Sequence, residues 1–230
     1  SLFKPEIVKG FEYSDCAVDD ARLVIANAMQ AREHGASIQT RTRCLAAQVE
    51  QNAWTVQLQN AQSNFTVRAK VLVNAAGPWV TEFIQQDLKM KASYSIRLIQ
   101  GSHIIVPKIY AGDKAFILQN DDQRIVFAIP YLDEYTLIGT TDQRYLGNPD
   151  QVDITESEID CLLQVMNAHF QHQLNRQDII ATYSGVRPLC DDESDNPSAM
   201  TRDYTLVLTQ QQHAPLLSVY GGKLTTYRKL

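Results

Sequence analysis

Two spacings of apolar residues run along this chain, one typical of helices and one typical of strands. Helical spacing covers 21–34, which ends at Gly35 as a C-cap, and 155–170, which begins with the capping pattern Thr155-Glu156-Ser157-Glu158. A shorter helix is predicted over 80–86. Most of the remaining chain is therefore expected to form strands and their connections.

Short apolar or alternating runs between polar turns predict a chain rich in β-structure. Three of these runs predict a small antiparallel meander near the N-terminus, and four in the middle of the chain predict a second antiparallel sheet. The predicted strands are 37–40, 45–49, 54–58, 65–67, 70–74, 95–106, 115–118, 124–130, 135–141, 179–186, 204–208 and 216–220.

The order of these elements predicts two interleaved domains rather than two consecutive ones. A strand–helix layout in 1–93 is interrupted by antiparallel strands and one helix in 94–178, and strands return in 179–230. We therefore expect an α/β fold with an α+β insert.

Composition places the chain among globular proteins and excludes several functional classes. The 230 residues are 44% hydrophobic and 20% charged. The net charge of −5 argues against a general nucleic-acid binder, and no apolar stretch is long enough for a transmembrane helix. The four cysteines are scattered without a CxxC pair, which favours reduced thiols and no metal site.

The segment Gly221-Gly222-Lys223-Leu224-Thr225-Thr226-Tyr227-Arg228 carries the most chemical information. Two glycines after a strand allow a sharp turn and a close approach of backbone to a ligand. The residues after them indicate a helix start, whose N–H groups and lysine suit an anionic group or an electron-rich ring edge. The alternative is a glycine-capped strand end before an ordinary amphipathic helix.

A second segment of small residues follows a predicted strand. Val73-Asn74-Ala75-Ala76-Gly77-Pro78-Trp79 leads from that strand into the helix over 80–86. Such a corner is expected where backbone approaches a bulky cofactor. Tight strand–helix packing without a ligand explains the same residues.

Gly101-Ser102-His103 lies at the centre of the long predicted strand over 95–106. A histidine in an antiparallel sheet can face a substrate chamber, and its ordinary pKa of about 6.5 suits general base catalysis. The alternative is a structural histidine satisfied by hydrogen bonds. Ile138-Gly139-Thr140-Thr141-Asp142, a strand ending in hydroxyls, is either a turn or part of a chamber wall.

Arg187 lies in the segment Tyr183-Ser184-Gly185-Val186-Arg187-Pro188-Leu189, at an apolar strand end. A guanidinium is costly to bury without an anionic partner and binds phosphate or carboxylate with two prongs. The alternative is a salt bridge to a nearby acid, for which Asp191, Asp192 and Glu193 are candidates.

These segments together resemble FAD-dependent (aerobic, respiratory) glycerol-3-phosphate dehydrogenase, within the D-amino-acid-oxidase-like flavoproteins. The resemblance spans essentially the whole chain. It rests on an ordered set of motifs, which are Asp19-Asp20-Ala21-Arg22-Leu23, Asn74-Ala75-Ala76-Gly77-Pro78-Trp79, Gly101-Ser102-His103, Ile138-Gly139-Thr140-Thr141-Asp142, Gly185-Val186-Arg187-Pro188-Leu189 and Gly221-Gly222-Lys223-Leu224-Thr225-Thr226-Tyr227-Arg228.

The resemblance implies a partial Rossmann-like FAD domain, in 1–93 and 179–230, interleaved with an antiparallel-sheet substrate domain in 94–178. It also implies a GxGxxG segment for FAD, which these 230 residues do not contain. We therefore expect the chain to be the central portion of a longer enzyme. The isolated 230 residues are expected to lack FAD and activity.

The resemblance further implies a reaction and its partners. The longer enzyme would oxidise sn-glycerol 3-phosphate to dihydroxyacetone phosphate and pass electrons through FAD to quinone. It would be cytoplasmic and bound peripherally to the inner face of the cytoplasmic membrane. Assembly into a homo-oligomer is among the expectations, and nucleic acid is not an expected partner.

Roles for individual residues follow from the same resemblance. His103, Arg187 and Lys223 would contact substrate and serve catalysis, with His103 favoured over Arg187 as proton acceptor because arginine stays protonated. Lys223 would also meet the pyrimidine edge of the flavin. The remaining FAD contacts are expected from Cys44, Ala76, Gly77, Gly222, Leu224 and Thr225.

Two other functions fit the same residues. A related FAD enzyme that oxidises amino acids or amines would use Arg187 for a substrate carboxylate. A ligand-binding module without catalysis would use the same pocket without flavin.

Overall fold

The computed structural model describes residues 2–120, 124–190 and 203–230. The chain divides into two compact units. The first unit consists of Ser1–Glu12 and Arg97–Arg187, and the second of Tyr13–Ile96 and Pro188–Leu230. The N-terminal dozen residues thus group with the central strands and α-helix of Arg97–Arg187.

Twelve strands and three α-helices form the regular structure of the described residues. In chain order they are α1 (Asp20–Glu33), β1 (Arg43–Glu50), β2 (Ala53–Gln59), β3 (Asn64–Ala69), β4 (Leu72–Asn74), α2 (Val80–Glu82), β5 (Ile96–Pro107), β6 (Phe116–Gln119), β7 (Ile125–Tyr131), β8 (Tyr135–Gly139), β9 (Gln143–Tyr145), α3 (Glu156–His169), β10 (Ala181–Cys190), β11 (Tyr204–Gln211) and β12 (Ala214–Gly221).

The first unit is a six-stranded sheet packed against α3. The strands lie in the order β10-β5-β8-β7-β6, and β9 pairs with β5. Leu162, Val165 and Met166 of α3 are buried against apolar side chains of the sheet, among them Ile104 and Ile138. Helix and sheet thus share one core, which fixes the position of the helix N-terminus relative to β5 and β8.

The second unit contains two three-stranded sheets. The strands β1, β2 and β3 form the antiparallel meander, and β12 lies between antiparallel β11 and parallel β4. Trp54 is fully buried and donates from Nε1 to the carbonyl of Pro215 at 2.8 Å. Val80, Leu216 and Tyr220 pack into the same core.

The predicted α/β class with an antiparallel insert is confirmed, including the meander, the central sheet and the two long helices. The strand predicted over 37–40 is wrong, because these residues form no ladder with another described strand. β9 was not predicted, since three residues are too few to show alternation. The predicted helix over 80–86 is a composite of a 3₁₀ turn (Gly77–Trp79), α2 and a π-helical turn (Phe83–Asp87).

Candidate functional site

His103 lies on β5, directly opposite Gly139 of β8. Its ring stacks on Tyr183 of β10, with centroids 4.7 Å apart and planes 9° from parallel. A Cβ on Gly139 would lie 2.6 Å from Cγ and 2.8 Å from Nε2 of the ring. The glycine therefore leaves the space that the imidazole occupies between β8 and Tyr183.

Arg187 lies on β10 and is held by oxygens that follow the end of β8. Its Nη1 donates to Oδ1 of Asp142 at 2.9 Å, and its Nη2 donates to Oγ1 of Thr140 at 3.2 Å and the carbonyl of Thr141 at 3.4 Å. We call Thr140, Thr141, Asp142 and Arg187 the arginine cluster. The arginine side chain keeps 39% of its surface exposed, so the guanidinium is accessible to a ligand.

An acid does pair with Arg187, but it lies 45 residues away in the sequence and is not one of the neighbouring acids that the alternative named. The acid is Asp142, which ends the segment 138–142. The sequence left open whether this segment is a turn or part of a chamber wall. Asp191, Asp192 and Glu193 lie outside the described residues. Gly101 makes room for the contact between Arg187 and Thr140, because a Cβ there would lie 2.5 Å from Nη2 of Arg187 and 2.6 Å from Oγ1 of Thr140.

A buried carboxylate next to the arginine cluster is a polar feature that the sequence reasoning missed. Glu158 is fully buried at the N-terminus of α3 and accepts hydrogen bonds from three other residues, Thr141, Ser102 and Gln100, besides Thr155. The sequence signalled only its place in the capping box. We call Gln100, Ser102, Thr141, Thr155 and Glu158 the carboxylate network.

The pKa of Glu158 is lowered from its ordinary value. Burial acts to raise it, but hydrogen bonds donated by Thr141, Thr155 and Ser102 favour the charged form and outweigh burial. The network therefore stabilises the fold above the ordinary glutamate pKa, and this stabilisation is lost as pH falls through the lowered value.

We expect Glu158→Gln to unfold at a lower temperature than wild type at neutral pH, and the difference to shrink as the pH falls below the ordinary glutamate pKa and through the lowered value. The wild type loses the contribution of its carboxylate in acid, whereas the amide does not titrate. Thermal unfolding monitored by circular dichroism across this pH range measures the effect. A difference that stays constant with pH would contradict the charged state assigned to Glu158.

In the second unit, Ala76 and Gly77 form the corner that follows β4. The buried Asn74 braces the corner, since its Oδ1 accepts from the Ala76 N–H at 3.2 Å and its Nδ2 donates to the Val80 carbonyl at 2.9 Å. Gly77 has φ +56°, a left-handed conformation that favours glycine. Ala76 is exposed, so its backbone and methyl group are open to a ligand.

Gly221 and Gly222 form a second corner, at the end of β12. Both have positive φ, +69° and +89°, and a Cβ on Gly222 would lie 3.0 Å from Cβ of Tyr204. Lys223 is exposed beyond this corner. The predicted helix start is a single 3₁₀ turn over Leu224–Thr226, so no long helix supports Lys223 within the described residues.

The two glycine corners lie at the same edge of one sheet. β4 and β12 are parallel neighbours, with Leu72, Val73 and Asn74 paired to Leu216, Leu217 and Ser218. Their carboxyl ends therefore point the same way, and the turn after β4 contacts β12. Ligands of open α/β sheets bind at this edge.

Cys44 lies on β1 at a β-bulge and is half-buried. Its Sγ donates weakly to the Ala46 carbonyl at 3.7 Å. Burial, followed by the charge of Asp87, raises the pKa of the thiol. The thiol thus stays protonated at neutral pH.

Metal and membrane features are absent from the described parts of the chain. Within 2–120, 124–190 and 203–230, no cluster of three or more His, Cys, Asp or Glu is placed to hold a metal ion. In the same ranges, no helix has both the length and the apolar character needed to cross a membrane.

The profile of the family described as "FAD dependent oxidoreductase" (DAO) matches residues 1–228. Glycerol-3-phosphate dehydrogenase of Pseudomonas aeruginosa is 63% identical over 100% of this chain and 45% of its own length. Aerobic glycerol-3-phosphate dehydrogenase of Escherichia coli is 55% identical over 100% of this chain and 46% of its own length. The chain thus spans less than half the length of these relatives.

A solved structure has the same fold. Glycerol-3-phosphate dehydrogenase of Bacillus halodurans, crystallised with FAD, superposes with a TM-score of 0.76 at 28% identity, over 92% of this chain and 40% of its own. The resemblance stated from the motifs is confirmed by these comparisons, as is the FAD-binding type of fold.

Proposed function

We propose that this chain, which belongs to the FAD dependent oxidoreductase family, forms part of an enzyme that oxidises sn-glycerol 3-phosphate to dihydroxyacetone phosphate. Two relatives that carry the name glycerol-3-phosphate dehydrogenase align over its full length, at 63% and 55% identity. Because each relative is more than twice as long as the aligned part, we assign the activity to the longer protein.

The pair of glycine corners at the carboxyl ends of β4 and β12 is the observation that carries the proposal. Gly77 and Gly222 hold left-handed backbone, and the exposed Ala76 precedes one corner while the exposed Lys223 follows the other. Small residues and accessible backbone at this edge fit a bulky, flat cofactor. The residues present are therefore consistent with FAD.

The proposed FAD contacts are those of the second unit. Ala76 and Gly77 would pack on the cofactor, and the backbone of Gly222, Leu224 and Thr225 would bind the edge of its ring. Cys44 would contribute its backbone on the adenine side. FAD, when bound, supplies the acceptor for the hydride on C2 of the substrate. The charge of Lys223 would stabilise negative charge at the ring edge or on the substrate.

The proposed substrate contacts of the first unit are His103 and Arg187. Arg187 would bind the phosphate or the reacting oxygen through its exposed guanidinium, with Asp142 fixing its orientation. His103 would accept the proton of the C2 hydroxyl, since a neutral imidazole can take a proton and arginine cannot. Stacking on Tyr183 holds the ring for that transfer.

We assign the electrons to a quinone and the enzyme to the inner face of the cytoplasmic membrane, as a peripheral protein. The name of the Escherichia coli relative, an aerobic dehydrogenase, supports the first assignment. A homo-oligomer is proposed as well. The net charge of −5 gives no support for nucleic acid as a partner.

Anaerobic reduction of the bound flavin in the full-length enzyme tests the proposal. Bleaching of the flavin absorbance by glycerol 3-phosphate is the expected result. A panel of amino acids is tested alongside, because an amine-oxidising enzyme would use Arg187 for a carboxylate. Bleaching by an amino acid but not by glycerol 3-phosphate would reject the proposed substrate, and protein that binds no flavin would favour a non-catalytic binding module.

The 230 residues expressed alone are expected to bind no FAD and to be inactive. The family resemblance implies a GxGxxG segment for FAD that this sequence does not contain. The flavin absorbance of the purified chain measures this, with the full-length enzyme as control. Yellow protein with stoichiometric FAD would contradict the prediction.

A further inference from the structure

Glu158 occupies the third position of α3 in a capping box with Thr155. Its Oε2 accepts from the Thr155 N–H at 2.8 Å, from Oγ1 of Thr155 at 2.9 Å and from Nε2 of Gln100 at 2.9 Å. A capping box needs one carboxylate oxygen and ordinarily lies at the helix surface. Capping thus accounts for Oε2 but not for the complete burial of the side chain.

The second oxygen of Glu158 binds two hydroxyls, one on β5 and one just after β8. Its Oε1 accepts from Oγ1 of Thr141 at 2.6 Å and from Oγ of Ser102 at 2.8 Å. Oγ1 of Thr141 also accepts from the N–H of Ser102 at 2.9 Å. The carboxylate therefore ties β5 to the residues that follow β8.

Those residues hold Arg187. Thr141 offers its carbonyl to the guanidinium, and its neighbours Thr140 and Asp142 provide the other two oxygens. Oγ of Ser102 also lies 2.9 Å from Oγ of Ser184, on the strand that carries Arg187. The carboxylate network and the arginine cluster share Thr141.

We propose that Glu158 is a positioning residue for the reaction, which through Thr141 and Ser102 fixes the segment 140–142 and thereby the direction of the Arg187 guanidinium. The inference rests on the proposed function, because Arg187 has a task only if it binds substrate. Glu158 itself contacts no substrate and acts only through its neighbours.

The chemistry of the network favours a carboxylate. All of its partners donate, since two hydroxyls and one amide group from side chains, together with the Thr155 N–H and hydroxyl, point at Glu158. A glutamine in its place would direct its own N–H₂ group at some of these partners. The Thr155 N–H and the Gln100 N–H₂ can only donate, and the Thr141 and Ser102 hydroxyls could accept only by reversing their present direction. The hydrogen bonds that support the segment 140–142 would then be rearranged.

Variants at two positions of the full-length enzyme separate positioning from the loss of a cap elsewhere in the unit. Thr141→Val removes a donor to Oε1 and is expected to lower kcat/KM for glycerol 3-phosphate about tenfold to a hundredfold. Thr141→Ser keeps the hydroxyl and is expected to restore most of the activity. Asn148→Ala removes the side-chain cap of a 3₁₀ turn in the same unit, outside the network, and is expected to leave kcat/KM within about twofold of wild type.

A double-mutant cycle with Arg187 supplies a readout that a purely structural role would not change. In an Arg187→Ala background, Thr141→Val is expected to have little further effect on kcat/KM, because the group it positions is gone. Ser102→Ala serves in place of Thr141→Val if that variant does not fold, since it removes the other hydroxyl donor.

Two outcomes would overturn the inference in distinguishable ways. Wild-type enzyme that oxidises glycerol 3-phosphate, with Thr141→Val and Asn148→Ala equally active or with additive effects in the cycle, would reject the positioning role alone. Wild-type enzyme that does not oxidise glycerol 3-phosphate would reject the proposed function, and the positioning role with it.

Discussion

Arg187→Ala in the full-length enzyme is expected to lower kcat/KM for glycerol 3-phosphate by about 10²- to 10³-fold. The guanidinium is the exposed cation of the arginine cluster, and its three hydrogen bonds to oxygens leave it pointed in one direction. Removing it also leaves Asp142 without this partner, so negative charge would replace positive charge at the proposed substrate contact. Steady-state kinetics and the rate of anaerobic flavin reduction measure the loss.

Controls for this variant separate charge from geometry. Arg187→Lys keeps the charge without the planar fork, so activity between wild type and Arg187→Ala is expected. Arg144→Ala removes an exposed arginine of β9 in the same unit and is expected to leave the activity unchanged.

Lys223→Ala is measured beside these variants and is expected to slow flavin reduction severely. Wild-type rates in Arg187→Ala and Lys223→Ala would mean that neither residue serves the reaction.

Gly139→Ala is expected to lower kcat/KM by about 10²-fold although it changes no proposed catalytic residue. The new methyl group would overlap the His103 ring, which Tyr183 confines on its other face. Gly139 is buried in a strand pair, so the backbone cannot easily move away. Overpacking of this kind is also expected to lower the free energy of unfolding by about 1–3 kcal/mol.

The His103→Ala background tests whether Gly139→Ala acts through the ring. With the ring removed, the methyl group has space, and Gly139→Ala is expected to add little further loss of activity. Gly10→Ala is the matched control, because a Cβ at that position meets nothing within 4 Å. Equal losses from Gly139→Ala with and without the imidazole would reject the assigned cause. Thermal unfolding of each variant separates lost stability from lost activity.

Local sequence patterns sufficed for the elements whose signals lie within a few residues. The capping box of α3, with Thr155 and Glu158 three positions apart, predicted the helix start, and the alternation around Trp54 predicted the meander. The strand predicted over 37–40 is not formed, because its strand-like residues have no ladder partner among the described strands. Strand propensity alone does not provide a neighbouring strand.

The partners within the candidate site could not be predicted, because they are distant in sequence. Asp142 binds Arg187 and Ser102 binds Glu158 across many intervening residues, and nothing in either local segment specifies the other. Glu158 was predicted only as a capping residue, because no local sequence pattern indicates which groups bind the second oxygen of its carboxylate. The glycines were informative, but only coordinates show that Gly139 makes room for His103 and Gly101 for Arg187.

The parallel pairing of β4 with β12 has a consequence for biosynthesis. Leu72 pairs with Leu216, and Trp54 donates to Pro215. The ribosome must therefore translate the whole inserted sheet after the first residue of each pair and before the second. A ribosome that adds about 5–20 residues per second needs on the order of ten seconds for that interval. During this time, the indole of Trp54 and the apolar side chains around it lack the partners that β12 provides in the folded chain. Nascent chains paused in this state are the ones that chaperones would have to protect from aggregation.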